Sequence, residues 1–173
     1  MDETNNKESK QSRLKQTIIE YLKVIIITVV LTYGVLYFVQ ISRVVGSSME
    51  PNYHNGNIVL VNKQFYSLSD VSYGDVVVVK YEVTKGENQI IKRVIGKPGD
   101  TISCKNHVVY RNGKKLDENY IKEQMTDSAW SYDVPKGSLF VMGDNRNNSL
   151  DSRYIGTINF KSRVVGKVFF KVF

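Results

Sequence analysis

One cysteine in 173 residues, Cys104, rules out an intramolecular disulfide. Histidine is almost as scarce, with only His54 and His107, so Cys104-x-x-His107 falls short of the three or four ligands that a zinc site requires. Nothing around Cys104 argues for a lowered thiol pKa, which sets a cysteine nucleophile aside. There are no internal repeats and no low-complexity runs. The net charge is +7, yet the basic residues are scattered and accompany no nucleic-acid-binding motif, so nucleic acid is not the expected partner. Residues 1–23 contribute +1 of that charge and the remainder +6. A basic domain of this kind suits an anionic membrane surface.

What the chain does contain begins with 19 uncharged residues between Lys23 and Arg43. As a helix they measure roughly 28 Å, enough to cross a hydrocarbon core. A buried core helix is the alternative, but it would be amphipathic and shorter. A cleaved signal peptide is another, yet Val39-Gln40-Ile41 lacks a small-x-small cleavage pattern. The reading is a retained single-pass anchor over residues 18–41, preceded by a tail over 1–17 whose first 15 residues are polar and fraying. Lys7, Lys10, Arg13, Lys15 and Lys23 precede the segment, and only Arg43 follows within twenty residues. That asymmetry keeps the N-terminus cytoplasmic and places residues 42–173 on the other face of the membrane.

The exterior part is long enough for one domain. Strand-like runs occur at 57–62, 75–83, 89–96, 108–110, 138–142 and 163–173, separated by turn signals. Asn112-Gly113 between Val108-Val109-Tyr110 and Lys114-Lys115-Leu116 is the strongest hairpin signal. The unbroken run Val76-Val77-Val78-Val79 predicts a strand covered on both faces. The expected fold class is mostly β, a folded or barrel-like sheet with a small hairpin insertion at about 100–135, preceded by one transmembrane helix. Trp130, Phe169 and Phe170 are aromatic residues that either join the core or dip into the outer leaflet.

Three segments carry chemistry. Gly46-Ser47-Ser48-Met49-Glu50-Pro51 follows the anchor directly and offers a serine nucleophile at the membrane surface. Serine needs a base, and His54 and His107 lack catalytic company. Lysine can serve if desolvation populates its neutral form, and Lys92 lies among Ile90, Ile91, Val94 and Ile95. A snorkelling lysine on an edge strand fits the same residues, and Lys80 is open to both readings, so spacing does not choose between them. Alternation puts Lys92 on one face and Arg93 on the other, and one of them must find unusual surroundings. The third segment runs from Gly143 through Arg153, either as a loop entering a site from a sheet or as a solvated turn in which Asp151 pairs with Arg153.

Taken in order, the anchor, Ser-Met-x-Pro, Gly-Asp-Val-Val-Val, Lys-Arg-Val-x-Gly-x-Pro-Gly-Asp and Gly-Asp-Asn-Arg-x-Asn-Ser-x-Asp-Ser-Arg resemble the type I signal peptidases, the bacterial leader peptidases of the short Gram-positive kind. The likeness runs from the anchor to about Gly156. It implies a Ser-Lys protease in which Ser48 is the nucleophile and Lys92 the general base. Ser149 would orient the lysine, Asp151 would pair with Arg153 to hold the loop, and Gly143 would let that loop pass close to the site. The family's oxyanion hole uses the main-chain N–H of the nucleophile and, in some members, a serine hydroxyl two positions earlier. Gly46 stands there in this chain, leaving the second donor to a backbone group or a water. Asn52 also replaces the threonine common after the proline.

The resemblance further implies substrates that are exported precursor proteins, cut after small residues at the third and first positions before the bond. The precursor would lie extended between Val44, Val45 and Gly46 on one side and Gln89, Ile90 and Ile91 on the other, with Met49 and Tyr53 closing the first pocket. No metal or organic cofactor is required. Partners would be the precursors and the lipid bilayer, close to the secretion translocon. Two rivals remain open at this point: a self-cleaving repressor, which would need a DNA-binding region, and a membrane-tethered β domain that binds exported peptides without turnover.

Overall fold

The computed structural model describes residues 2–64, 67–83 and 86–173, and among these the side chains outside 2–12, 82–83 and 86–87. Helix α1 (Asp2–Phe38) forms one compact unit and residues 39–173 another. The polar start, expected to fray, continues the helix instead. From Asp2 to Tyr33 the chain holds no glycine or proline, and its Lys, Glu and Gln residues favour helix. Residues Arg13–Phe38 are long and apolar enough to cross a membrane. Their side chains are almost all exposed.

The helix stops at Phe38, and Val39–Ile41, expected in the anchor, belong to strand β1 (Val39–Arg43). These residues pair antiparallel with β2 (Ile58–Asn62), where β-branched residues suit a pleated strand. Three long strands follow in the same sheet: β3 (Val76–Val83), β4 (Gly86–Gly96) and the C-terminal β11 (Val164–Lys171). With β9 (Ser138–Met142) and the short β10 (Ile158–Asn159) they complete a seven-stranded sheet in the order β1-β2-β11-β3-β4-β9-β10. Helices α2 (Ser152–Ile155) and α3 (Phe160–Arg163) are single turns.

The valine run behaves as its composition requires. Val76 and Val78 pack with Val44, Met49, Val59, Val61 and Ile91, while Val77 and Val79 pack with Val94, Leu139, Val141 and Ile158. The strand is therefore buried on both faces. A second sheet, in the order β7-β6-β5-β8, is built from β5 (Thr101–Lys105), β6 (Val108–Arg111), β7 (Lys114–Lys115) and β8 (Ala129–Asp133). Asn112 and Gly113 both adopt positive φ, 51° and 78°, as a tight β6–β7 turn demands. Within this sheet the sequence pattern predicts only that hairpin, because β5 and β8 are runs of five residues, too short for their alternation to stand out in a polar segment. A third core of Ile95, Ile102, Cys104, Val109, Phe140 and Met142 joins the two sheets. Trp130 stacks on Phe140 against this core, whereas Phe169 and Phe170 are exposed on β11.

A cleft containing a buried lysine and a serine

Ser48 sits in the turn that follows β1, and that turn is fixed from both sides. Met49 beneath it is fully buried, and its carbonyl accepts from the amides of Asn52 and Tyr53 at 3.0 and 2.9 Å. From the loop after β9, Asn145 donates its main-chain N–H to the Ser48 carbonyl at 3.0 Å and its side-chain amide to the Ser47 carbonyl at 3.1 Å. Gly46 takes φ of +88°, and its N–H donates to the Asn55 side chain at 3.0 Å.

Lys92 reaches this turn from β4, where it lies opposite Val77. Only 2 % of it is exposed. Its Nζ lies 2.7 Å from Ser48 Oγ and donates to the Ile91 carbonyl at 2.8 Å. No carboxylate touches it among the described residues. Burial accordingly pulls its pKa down to about 8, and the charges of Asp151 and Asp144 only partly oppose that pull. Both acids are already engaged elsewhere, so neither forms an ion pair with the amine.

Arg93, the neighbour on the opposite face, shows the contrast. It grips Asp144 with two bonds of 2.7 and 2.6 Å and lies over the Tyr120 ring at 4.4 Å. Asn52 donates to the same carboxylate at 2.8 Å, a use for the side chain that stands in the threonine's place. Of the two adjacent basic residues, the arginine is ion-paired and, among the described residues, the lysine is not.

The loop from Gly143 to Arg153 is an ordered part of the site and not a solvated turn. Asp151 is fully buried and takes two bonds from Arg153, both 2.9 Å, and one from the Gly143 N–H at 3.0 Å. Arg153 also holds Asp127 at 2.8 Å and the Arg146 carbonyl at 2.6 Å. A Cβ on Gly143 would meet the Ser149 hydroxyl and would stand 2.5 Å from the Ser48 carbonyl. Glycine is therefore required by space, and it brings Ser149 to the same corner as Ser48. The Ser149 Oγ is buried there without a hydrogen-bond partner among the described residues.

A cavity of about 290 Å³ runs from Ser48 and Lys92 between β1 and β4, lined by Val44, Val45, Gln89, Ile90 and Ile91 among others. Gly46, Met49 and Tyr53, also expected there, are absent from its lining: Met49 is core beneath the turn, with Tyr53 packed against it. The cavity's two walls are unpaired strand edges. β1 ends its sheet, and β4 pairs with β9 only from Arg93 onward. Among the other bases considered, Lys80 is opposite Gln89 on β3, His54 is exposed beside Glu50 at 3.8 Å, and His107 is an exposed turn residue with φ of 67°. Cys104 is buried, and its thiol pKa is pushed up by that burial.

Sequence reasoning missed Asn145, Asp144 and the buried pair of Arg146 with Glu118, 2.6 Å apart. The first two fall in the polar cluster that pattern had marked. Glu118 belongs to the insertion and carried no signal.

Comparison with known proteins gives the family. The family described as signal peptidase, peptidase S26, matches residues 18–173. Signal peptidase I T of Bacillus subtilis (strain 168) is 35% identical over 176 residues, spanning 95% of this chain and 90% of its own. Signal peptidase I P of Bacillus subtilis subsp. natto is 40% identical over 169 residues, with 91% and 90% covered. The crystal structure of a signal peptidase I from Enterococcus faecalis V583 superposes with a TM-score of 0.50 at 29% identity, covering 57% of this chain and 97% of that one. The chain belongs to the signal peptidase family, peptidase S26, and so to the serine proteases that remove signal peptides from exported precursors.

Proposed function

We propose that the chain cleaves exported precursors after small-x-small motifs by a Ser48–Lys92 dyad. The observation that carries this reading is the 2.7 Å contact between Ser48 Oγ and a buried lysine amine with no acidic partner. Neutral Lys92 takes the proton of Ser48, whose oxygen attacks the scissile carbonyl; the leaving amine then takes a proton from Lys92, and an acyl-enzyme remains. Water, deprotonated by Lys92, hydrolyses that ester and restores Ser48. The Ser48 N–H stabilises the oxyanion. Ser149 makes no hydrogen bond to Lys92 in this structure, and its buried, uncommitted hydroxyl is available to accept one from the lysine as it moves during the reaction, while Asp151 with Arg153 holds the loop beneath. Small residues are selected because Val44, Ile90 and Ile91 fill the walls and exclude larger side chains.

The α1 segment holds the enzyme in the bilayer with its N-terminus cytoplasmic and residues 42–173 outside, close to the translocon from which precursors emerge. An extended precursor would lie between the segment Val44 to Gly46, where Val45 is exposed, and the β4 edge from Gln89 to Ile91, which β9 leaves uncovered.

Two outcomes test the reading. The value of kcat/KM should rise with pH and level off above a midpoint of about 8, because the reactive form of Lys92 is the unprotonated one. A profile flat from pH 6 to 10 would remove Lys92 as the base. Asn145→Ala removes one of the two clamps on the serine turn and should lower kcat about ten-fold with little change in KM, since it shifts the nucleophile and not the groove. Steady-state kinetics on one precursor distinguishes that from a loss of binding.

A further inference from the structure

The walls of the cleft are tied together by side chains at the end away from Ser48. Gln40 on β1 donates its amide to Gln89 Oε1 on β4 at 3.0 Å and to Ser42 Oγ at 2.8 Å. β2, β11 and β3 separate these two strands in the sheet order, so the bond crosses the open side of the groove. It leaves Gln40 Oε1 and Gln89 Nε2 without partners among the described residues, one acceptor and one donor. An extended peptide main chain presents the complementary pair, an N–H and a C=O.

Position along the groove follows from strand geometry. Gln89 precedes Lys92 by three residues, about 10 Å at the strand rise. A peptide whose scissile carbonyl is at Ser48 would therefore meet the glutamine pair at about its fourth residue before the cut. We propose that Gln40 and Gln89 form a main-chain binding subsite there, taking the N–H and C=O of the precursor upstream of the small-x-small motif. This rests on the groove reading of the preceding subsection. Because the contacts are to main chain, the subsite reads the presence of an upstream extension and not its side chains.

The experiment uses the full chain in detergent and two peptides sharing one Ala-x-Ala cleavage sequence, one starting at the third residue before the cut and one extended three residues further. For Gln40→Ala and for Gln89→Ala, the ratio of kcat/KM for the long peptide to that for the short one should fall about five-fold relative to the unmutated enzyme, through KM. Equal changes on both peptides would make the pair a mere tie between walls and overturn the subsite. A gain on the long peptide would make it an obstruction and overturn it equally. If the unmutated enzyme cleaves neither peptide, the groove reading fails first and the subsite with it.

Discussion

Lys92→Met should leave a protein that no longer cleaves precursors and is nevertheless harder to unfold at neutral pH. The two side chains are similar in volume, and methionine fits a buried position opposite Val77 without an amine to desolvate. Loss of the general base should reduce kcat/KM by roughly 10²–10⁴. The stability gain follows from linkage. The folded pKa of about 8 lies below the ordinary 10.5, so the unfolded chain binds this proton more tightly than the folded one. The penalty is fully present below pH 8, shrinks as the pH rises toward 10.5, and is gone above it. Its size is about 3 kcal/mol, from the difference of the two pKa values. Denaturant titrations of both proteins at pH 7 and pH 10.5 should show the methionine variant ahead by most of that amount at pH 7 and nearly level at pH 10.5.

Asp151→Ala should have the opposite effect on stability. Its carboxylate is fully buried and satisfies Arg153 twice, the Gly143 N–H, and the first turn of α2 through the Arg153 N–H. Removing it leaves a buried guanidinium with Asp127, a main-chain carbonyl and the Tyr154 ring as its contacts among the described residues, a change that costs about 3–5 kcal/mol. The same loop carries Gly143 and Ser149 against the nucleophile, so activity should fall with it. In whatever fraction remains active, the pH midpoint should move below 8, because the Asp151 charge raises the lysine's pKa in the intact enzyme. Urea denaturation with a parallel pH–rate profile measures both effects on one preparation.

How far these features were legible in the sequence depended on whether the signal was local. The valine run, the Asn112-Gly113 turn and the long strands of the main sheet each declare themselves within a few residues. β1 did not, because Val39 and Ile41 extend the apolar composition of the anchor, and only pairing with β2 makes them strand. β5 and β8 have five residues each, too few for their alternation to stand out within a polar segment. In the site, motif order pointed to Ser48 and Lys92, but nothing local separated Lys92 from Lys80. That choice belongs to tertiary structure: β3 and β4 pair so that Lys92 meets Val77 at the serine turn, while Lys80 is three pairs further along. Arg93 and Asp144 are 51 positions apart, and Asn145 and Ser47 are 98 apart. Contacts over such separations leave no periodicity to read.

The most direct test of the dyad is cleavage of a purified precursor ending its signal sequence in Ala-x-Ala, by the full chain and by Ser48→Ala matched for fold by circular dichroism. The account predicts correctly placed cleavage by the intact protein and none by the variant. Cleavage by Ser48→Ala at an undiminished rate would contradict it, since that variant lacks the hydroxyl that stands 2.7 Å from the Lys92 amine.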